Sequence, residues 1–207
     1  MPDIRFGYHG STALAERYAA AGRASVELVE YDVADPFREL RAGRLDVMIV
    51  KFRLDEPDLG CTAVLDTDAR AVIVRAGHPL TAWRSVSVEQ VADYAGFGRP
   101  GRMPGYVWDE VMPPTTPAGR PLRRVHSMMS TGDLMRILAG TDAVHLSLCS
   151  LADIAPPSVR VIPVHDMPPA GVSIAWSRRR PRPDVIRFLR TVEDELAPDV
   201  IVRLGAI

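Results

Sequence analysis

The sequence predicts an α/β fold, and its first 50 residues carry this prediction. Segments 4–8, 26–30 and 46–50 have the apolar patterns of strands, and segments with a helical period separate them. Such alternation is typical of parallel strands joined by right-handed helical crossovers. Segment 46–50 ends in an unbroken apolar run, as expected for a strand that is buried on both faces of a sheet.

Capping signals place two helices between these strands. The first helix is expected over 12–22, with Ser11 as its N-cap residue. The second is expected to begin with Asp35 as N-cap and Pro36 as first helical residue, and to reach about Ala42. Each strand therefore ends in a loop at the sheet edge where α/β proteins bind ligands.

The rest of the chain continues the α/β pattern in short elements. Ser87 and Gln90 have the spacing of a capping box that opens a helix to about Ala95, and Ser130 begins another helix. Segment 98–121 contains six prolines and is predicted to be an irregular loop. Further strands are predicted over 62–66, 71–75, 143–147, 159–164 and 172–176. A final amphipathic helix starts at Pro183, with apolar residues Val185, Phe188, Leu189, Val192 and Leu196 on one face.

Composition excludes several classes of function. The 207 residues carry a net charge of −1, so we expect no DNA binding by this chain alone. No apolar run is long enough to span a membrane and no secretory signal begins the chain, which predicts a cytoplasmic location and no membrane partner. Cys61 and Cys149 are expected to be buried free thiols. Neither metal-ligand spacing nor a phosphate-binding motif occurs, so no metal and no cofactor are predicted.

Four stretches of the sequence together resemble a known family. They lie at 40–46, 72–80, 87–94 and 134–140 and read LRAGRLD, VIVRAGHPL, SVEQVADY and LMRILAG. In this order and spacing they resemble the effector-binding domain of LysR-type transcriptional regulators. The resemblance covers nearly the whole chain, and nothing in these residues resembles the helix-turn-helix domain of the full regulators.

The resemblance implies a fold and a ligand class. The family has a two-lobed fold like that of type 2 periplasmic binding proteins, with a ligand cleft between the lobes. Carried over to this sequence, lobe I comprises 1–70 plus 172–207, and lobe II comprises 71–171. The expected ligand is a small anionic or aromatic metabolite, and the expected assembly is a homodimer.

In lobe I, the candidate ligand-binding residues follow the first and third strands. Ser11 and Thr12 lie at a helix start, where free N–H groups and a partial positive charge suit anions. Lys51 could form an ion pair with a ligand carboxylate, and His9 could also face the ligand. Arg53 could bind the ligand or pair with a nearby acid, and pairing is slightly favoured.

In lobe II, the resemblance points to two loops. One holds Gly98 and Arg99, after a short strand near Phe97. The other holds Ser127, Met128 and Ser130, and Ser130 is also the expected N-cap of the helix that follows. Methionine could line an adaptable apolar pocket there.

Three functions remain open at this point. The domain could be a ligand sensor whose response to a metabolite regulates transcription. It could instead be an enzyme, a lyase, isomerase or cyclase, in which His9, Lys51 and His145 provide acid–base chemistry. It could also be a non-catalytic partner that associates with a full regulator. We favour the ligand sensor, because the family resemblance supports it.

Overall fold

The computed structural model describes residues 4–128, 130–179 and 181–204, and it has the predicted α/β class. The chain divides into two compact units. The first unit comprises residues 1–31, 36–67 and 171–207, and the second comprises residues 32–35 and 68–170. The lobe boundaries that the family resemblance implies remain predictions.

The secondary-structure elements are short, with one long helix at the end. The strands are β1 (Ile4–Tyr8), β2 (Val26–Glu30), β3 (Val47–Val50), β4 (Leu59–Cys61), β5 (Asp66–Asp68), β6 (Arg70–Arg75), β7 (Ala95–Phe97), β8 (Arg123–His126), β9 (His145–Leu148), β10 (Val159–Pro163) and β11 (Ala170–Ser177). The helices are α1 (Ala13–Ala21), α2 (Arg38–Arg41), α3 (Val88–Val91), α4 (Gly105–Val111), α5 (Thr131–Gly140) and α6 (Pro183–Leu204). Two 3₁₀ helices lie at Pro79–Ala82 and Cys149–Asp153.

The sheet of the first unit has the order β2-β1-β3-β11-β4, and β5 also pairs with β11. Strand β1 lies between β2 and β3 and is parallel to both, as the alternation in the first 50 residues predicts. Strand β11 runs antiparallel to β3 and β4. The three parallel strands therefore end at one edge of this sheet.

Both faces of this sheet are covered by apolar side chains. Val47 and Ile49 belong to a buried cluster with α1 and α6, whereas Met48 and Val50 belong to a second cluster that contains Phe37. Successive residues of a strand point to opposite faces, so the unbroken apolar run of β3 serves both clusters. The apolar face predicted for the last helix is confirmed, since Val185, Phe188, Leu189 and Val192 are buried and Leu196 packs against the same cluster.

A buried carboxylate joins the starts of β1 and β3. Asp46 accepts hydrogen bonds from the backbone N–H of Arg5 at 2.9 Å, from its Nε at 3.1 Å and from its Nη2 at 2.8 Å. The Asp46 side chain is 9% exposed, and Arg182 lies 3.8 Å away. This interaction fixes β3 beside β1 at the edge opposite to the strand ends that carry the candidate residues.

The second unit contains an antiparallel sheet, β10-β6-β9, and a parallel pair, β7-β8. Residues 71–74 of β6 are fully buried at its centre. The capping box of α3 is confirmed: Ser87 Oγ accepts from the N–H of Glu89 at 3.0 Å, and Gln90 Oε1 accepts from the N–H of Ser87 at 2.9 Å. Buried His78 begins the first 3₁₀ helix, because its Nδ1 accepts from the N–H of Leu80 at 3.1 Å.

The structure corrects the predictions for segment 98–121 and for Asp35. The segment 98–121 is not wholly irregular, because α4 occupies the stretch between Pro104 and Pro113. Asp35 does not cap the second helix, whose N-cap position is held by Phe37. Asp32 organises the turn instead, since its carboxylate accepts from the N–H of Ala34 at 2.9 Å.

The strand predicted over 62–66 is wrong, because β4 ends at Cys61 and β5 begins only at Asp66. Thr62 and Leu65 still donate backbone hydrogen bonds to β11, at 3.0 and 2.8 Å. Between them, the N–H of Ala63 donates to Glu193 of α6 instead. The local sequence has the period of a strand, but a partner from a distant helix interrupts the ladder.

Candidate functional site

The candidate residues of the first unit lie where its parallel strands end. Tyr31, His9 and Lys51 directly follow β2, β1 and β3, which are neighbours in the sheet. The registers Tyr8↔Glu30 and Gly7↔Met48 align these ends. Ligands of α/β proteins meet the sheet at this carboxyl edge, so the three parallel strands bring a tyrosine, a histidine and a lysine to the edge where such ligands bind.

His9 has two neighbours from the end of β2. Its ring centroid lies 5.8 Å from that of Tyr31, and its Nδ1 lies 3.9 Å from Glu30 Oε1. The His9 side chain is 24% exposed to solvent, although its Nδ1 atom is buried. The imidazole therefore has an aromatic ring and a carboxylate as neighbours.

Tyr31 is a site residue that sequence reasoning missed. Its hydroxyl donates a hydrogen bond to the carbonyl of Ile49 at 3.1 Å, which links the end of β2 to β3 across β1. Burial raises the pKa of the Tyr31 phenol above its ordinary value, so this hydroxyl stays a neutral donor. The signal was available, because Tyr31 directly follows the second of the three predicted parallel strands.

The loop from β1 to α1 places two hydroxyls beside His9. Gly10 has a positive φ of 79°, a conformation that glycine adopts without a steric penalty. Ser11 is buried, and its Oγ accepts from the N–H of Ala13 at 3.3 Å. Thr12 holds the N-cap position that was predicted for Ser11, but its hydroxyl donates to Glu16 at 2.8 Å and does not cap the helix. Both residues lie at the partially positive end of α1.

Lys51 and Arg53 differ in their surroundings. Lys51 is half-buried and directly follows the buried strand β3, so the residue lies at the carboxyl edge of the sheet. Arg53 pairs with Asp55 at 3.3 Å, and the two side chains are 75% and 68% exposed. This is the pairing that the sequence slightly favoured for Arg53.

The candidates of the second unit lie in two neighbouring loops. The N–H of Gly98 donates to the carbonyl of His126 at 2.8 Å, which joins the ends of β7 and β8. Ser130 caps α5 as predicted, because its Oγ accepts from the N–H of Asp133 at 3.1 Å. The remaining candidates are exposed Arg99, which donates to the carbonyl of Met103 at 3.2 Å, exposed Ser127 and buried Met128. Their role in ligand binding stays a prediction.

His145 belongs to an aromatic cluster of the second unit. It is buried on β9, with ring centroids 5.6 Å from Phe97 and 6.0 Å from Trp108. Packing against these aromatic rings is sufficient to explain why His145 is buried at this position. The acid–base role that the enzyme alternative assigns to His9, Lys51 and His145 stays a prediction.

The cysteines differ from expectation. Cys61 is exposed on β4, and Cys149 is only half-buried, so neither is a core thiol. Burial raises the pKa of the Cys149 thiol, which disfavours the reactive thiolate.

Within residues 4–128, 130–179 and 181–204, no group of three potential metal ligands is close enough to hold an ion. No helix in the same part of the chain is both long and apolar enough to cross a membrane.

A family model identifies the chain. The model of the LysR substrate binding domain matches residues 8–197, which is most of the sequence. The chain belongs to the LysR substrate-binding domain family. The fold is therefore of the type 2 periplasmic-binding-protein kind, and the family supports small-molecule effector binding and a part in transcription regulation.

Solved structures agree with this fold. CbnR, a LysR family transcriptional regulator, is 16% identical with a TM-score of 0.72, over 94% of this chain and 70% of that chain. The effector-binding domain of a BenM variant is 18% identical with a TM-score of 0.70, over 96% of each chain. The BenM effector-binding domain with its effector benzoate is 20% identical with a TM-score of 0.67, over 95% and 93% of the two chains. The comparison with curated proteins gives no significant match.

Proposed function

We propose that this domain is the sensing part of a LysR-type regulator and binds a small anionic effector with an aromatic or other apolar body. The observation that carries the proposal is the placement of Lys51 and the start of α1 at the carboxyl edge of neighbouring strands β3 and β1. Both features favour negative charge. Family membership supports effector binding as the use of this edge.

The edge also contains groups that suit the rest of such an effector. His9, which packs against buried Tyr31, supplies aromatic surface, and Ser11 and Thr12 supply hydroxyls. A few polar groups on a largely apolar wall are typical of small-molecule sites. We further propose that the domain acts as a homodimer in the cytoplasm and does not bind DNA by itself.

Benzoate is a suitable first probe, because a structure of similar fold carries it as an effector. We expect benzoate to bind and raise the melting temperature, and neutral benzamide to bind at least tenfold more weakly. Lys51→Met should weaken benzoate binding by about tenfold or more, which corresponds to about 1.4 kcal/mol. Arg84→Met is the matched control, because it removes one exposed positive charge from the second unit.

Isothermal titration calorimetry measures benzoate binding by the wild-type domain and by the two variants, and benzamide binding by the wild-type domain. Equal binding of benzoate and benzamide, or equal losses in the two variants, would refute the assignment of an anion to Lys51. Mass spectrometry of the recovered probe separates the sensor from the enzyme alternative. A sensor returns benzoate unchanged, whereas a chemically altered product would favour catalysis.

A further inference from the structure

The end of β2 places a carboxylate beside the only candidate imidazole of the first unit's binding edge. Glu30 Oε1 lies 3.9 Å from His9 Nδ1, and the Tyr31 ring lies beside the same imidazole at 5.8 Å between centroids. Imidazole is the side chain whose ordinary charge change falls between about pH 5 and 8. A charge close to an imidazole therefore links proton binding by the ring to the binding of a charged ligand.

We propose that effector binding to this domain is linked to protonation of His9. This inference rests on the proposed function and adds a means of regulation to the same edge. When an anion binds beside His9, the imidazole takes one proton from solvent and becomes an imidazolium, while the anion stays ionised. The pair then contributes an attractive interaction that the neutral imidazole lacks, so the anion binds more tightly at lower pH.

The charged groups at the binding edge of the first unit set the balance. Glu30 favours the imidazolium, and Lys51 at the end of β3 opposes it. Tyr31 contributes no charge, because its phenol stays neutral. Glu16 of α1 accepts a hydrogen bond from Thr12 and adds negative charge at the start of that helix. A bound anion offsets the positive charge of Lys51, which is the physical reason for proton uptake on binding.

Calorimetry in two buffers tests this directly. At one pH, benzoate binding is measured in phosphate and in Tris, whose heats of ionisation differ, so the difference in binding heat counts the protons taken up. For the wild-type domain we expect uptake of about half a proton near neutral pH, and roughly fivefold weaker binding at about pH 8.5 than at pH 6.

Three variants assign the effect to residues. His9→Gln should remove the proton uptake and flatten the dependence of affinity on pH, whereas His165→Gln should leave both unchanged, because His165 is an exposed histidine of the second unit. Glu30→Gln should retain proton uptake but move its maximum to lower pH. A merely structural role for Glu30 would change affinity without moving this maximum.

The outcomes separate the two proposals. Binding of benzoate without proton uptake by the wild-type domain would overturn the linkage and leave the proposed function intact. Uptake that persists in His9→Gln would also overturn it, since another group would then take the proton. Absence of binding by benzoate, phenylacetate and succinate at every pH would overturn the proposed function and the linkage together.

Discussion

Replacement of Asp46 tests how the first unit holds the strands that carry the site. Asp46→Asn removes the charge, while the new amide oxygen can still accept from the backbone N–H of Arg5. The two hydrogen bonds from the Arg5 guanidinium are the ones that weaken, at 2.8 and 3.1 Å in the native domain. Hydrogen bonds to a charged group contribute about 1.5–3 kcal/mol each.

The exposure of Arg5 reduces this figure. Its side chain is 35% exposed, so solvent screens part of the interaction, although the Asp46 carboxylate is only 9% exposed. We therefore expect Asp46→Asn to lower the free energy of unfolding by about 2 kcal/mol at neutral pH. For a chain of this size, that loss lowers the melting temperature by roughly 4–8 °C.

The dependence of stability on pH provides a second test of the Asp46 interaction. Burial alone would raise the pKa of Asp46, but the hydrogen bonds and charge of Arg5 outweigh burial and hold this pKa below its ordinary value. The carboxylate therefore contributes stability above the pKa of about 3.9 in the unfolded chain, and this contribution is lost as pH falls through the lower pKa of the folded state. The difference between wild type and Asp46→Asn should shrink over that acidic range.

Urea unfolding followed by circular dichroism measures the free energy of unfolding of each variant and its dependence on pH. Asp55→Asn is the matched control, because Asp55 forms an exposed pair with Arg53 and its loss should change stability by less than about 0.5 kcal/mol. Equal losses in the two variants would refute the reasoning, as would a gap between wild type and Asp46→Asn that persists unchanged in acid.

Two further predictions concern the cores of the two units. Phe188→Ala should lower the free energy of unfolding of the first unit by about 3–5 kcal/mol in urea, because Phe188 is 2% exposed and packs edge-on against Phe6 at 5.8 Å; a loss below about 1 kcal/mol would show that α6 is not anchored there. Burial lowers the pKa of His78, and its Nδ1 must stay unprotonated to accept a hydrogen bond from the N–H of Leu80. The contribution of His78 to stability is therefore present above about pH 6.5 and is lost as pH falls through the lower pKa of the folded state. His78→Asn should therefore show a smaller fall in melting temperature than wild type between about pH 7 and 5, and an equal fall would contradict this role.

Local sequence signals predicted those elements that short-range interactions determine. The capping box at Ser87 and Gln90 and the N-cap at Ser130 are interactions between residues three positions apart or fewer, so the sequence contains both partners. The apolar face of α6 follows from helical periodicity alone. The same local reasoning failed at Asp35 and at 62–66, where a neighbouring turn residue and a distant helix supply the competing hydrogen bonds.

The residues of the candidate site also divide into those that the sequence placed at the sheet edge and those that only the tertiary structure placed there. The sequence by itself determined which residues follow the first and third strands, and therefore that His9 and Lys51 lie at a sheet edge. Only the tertiary structure decided that Glu30 and Tyr31 lie beside His9 and that Cys61 is exposed. The order and register of strands in a sheet depend on contacts between residues far apart in the chain, and no periodicity within a single segment encodes them.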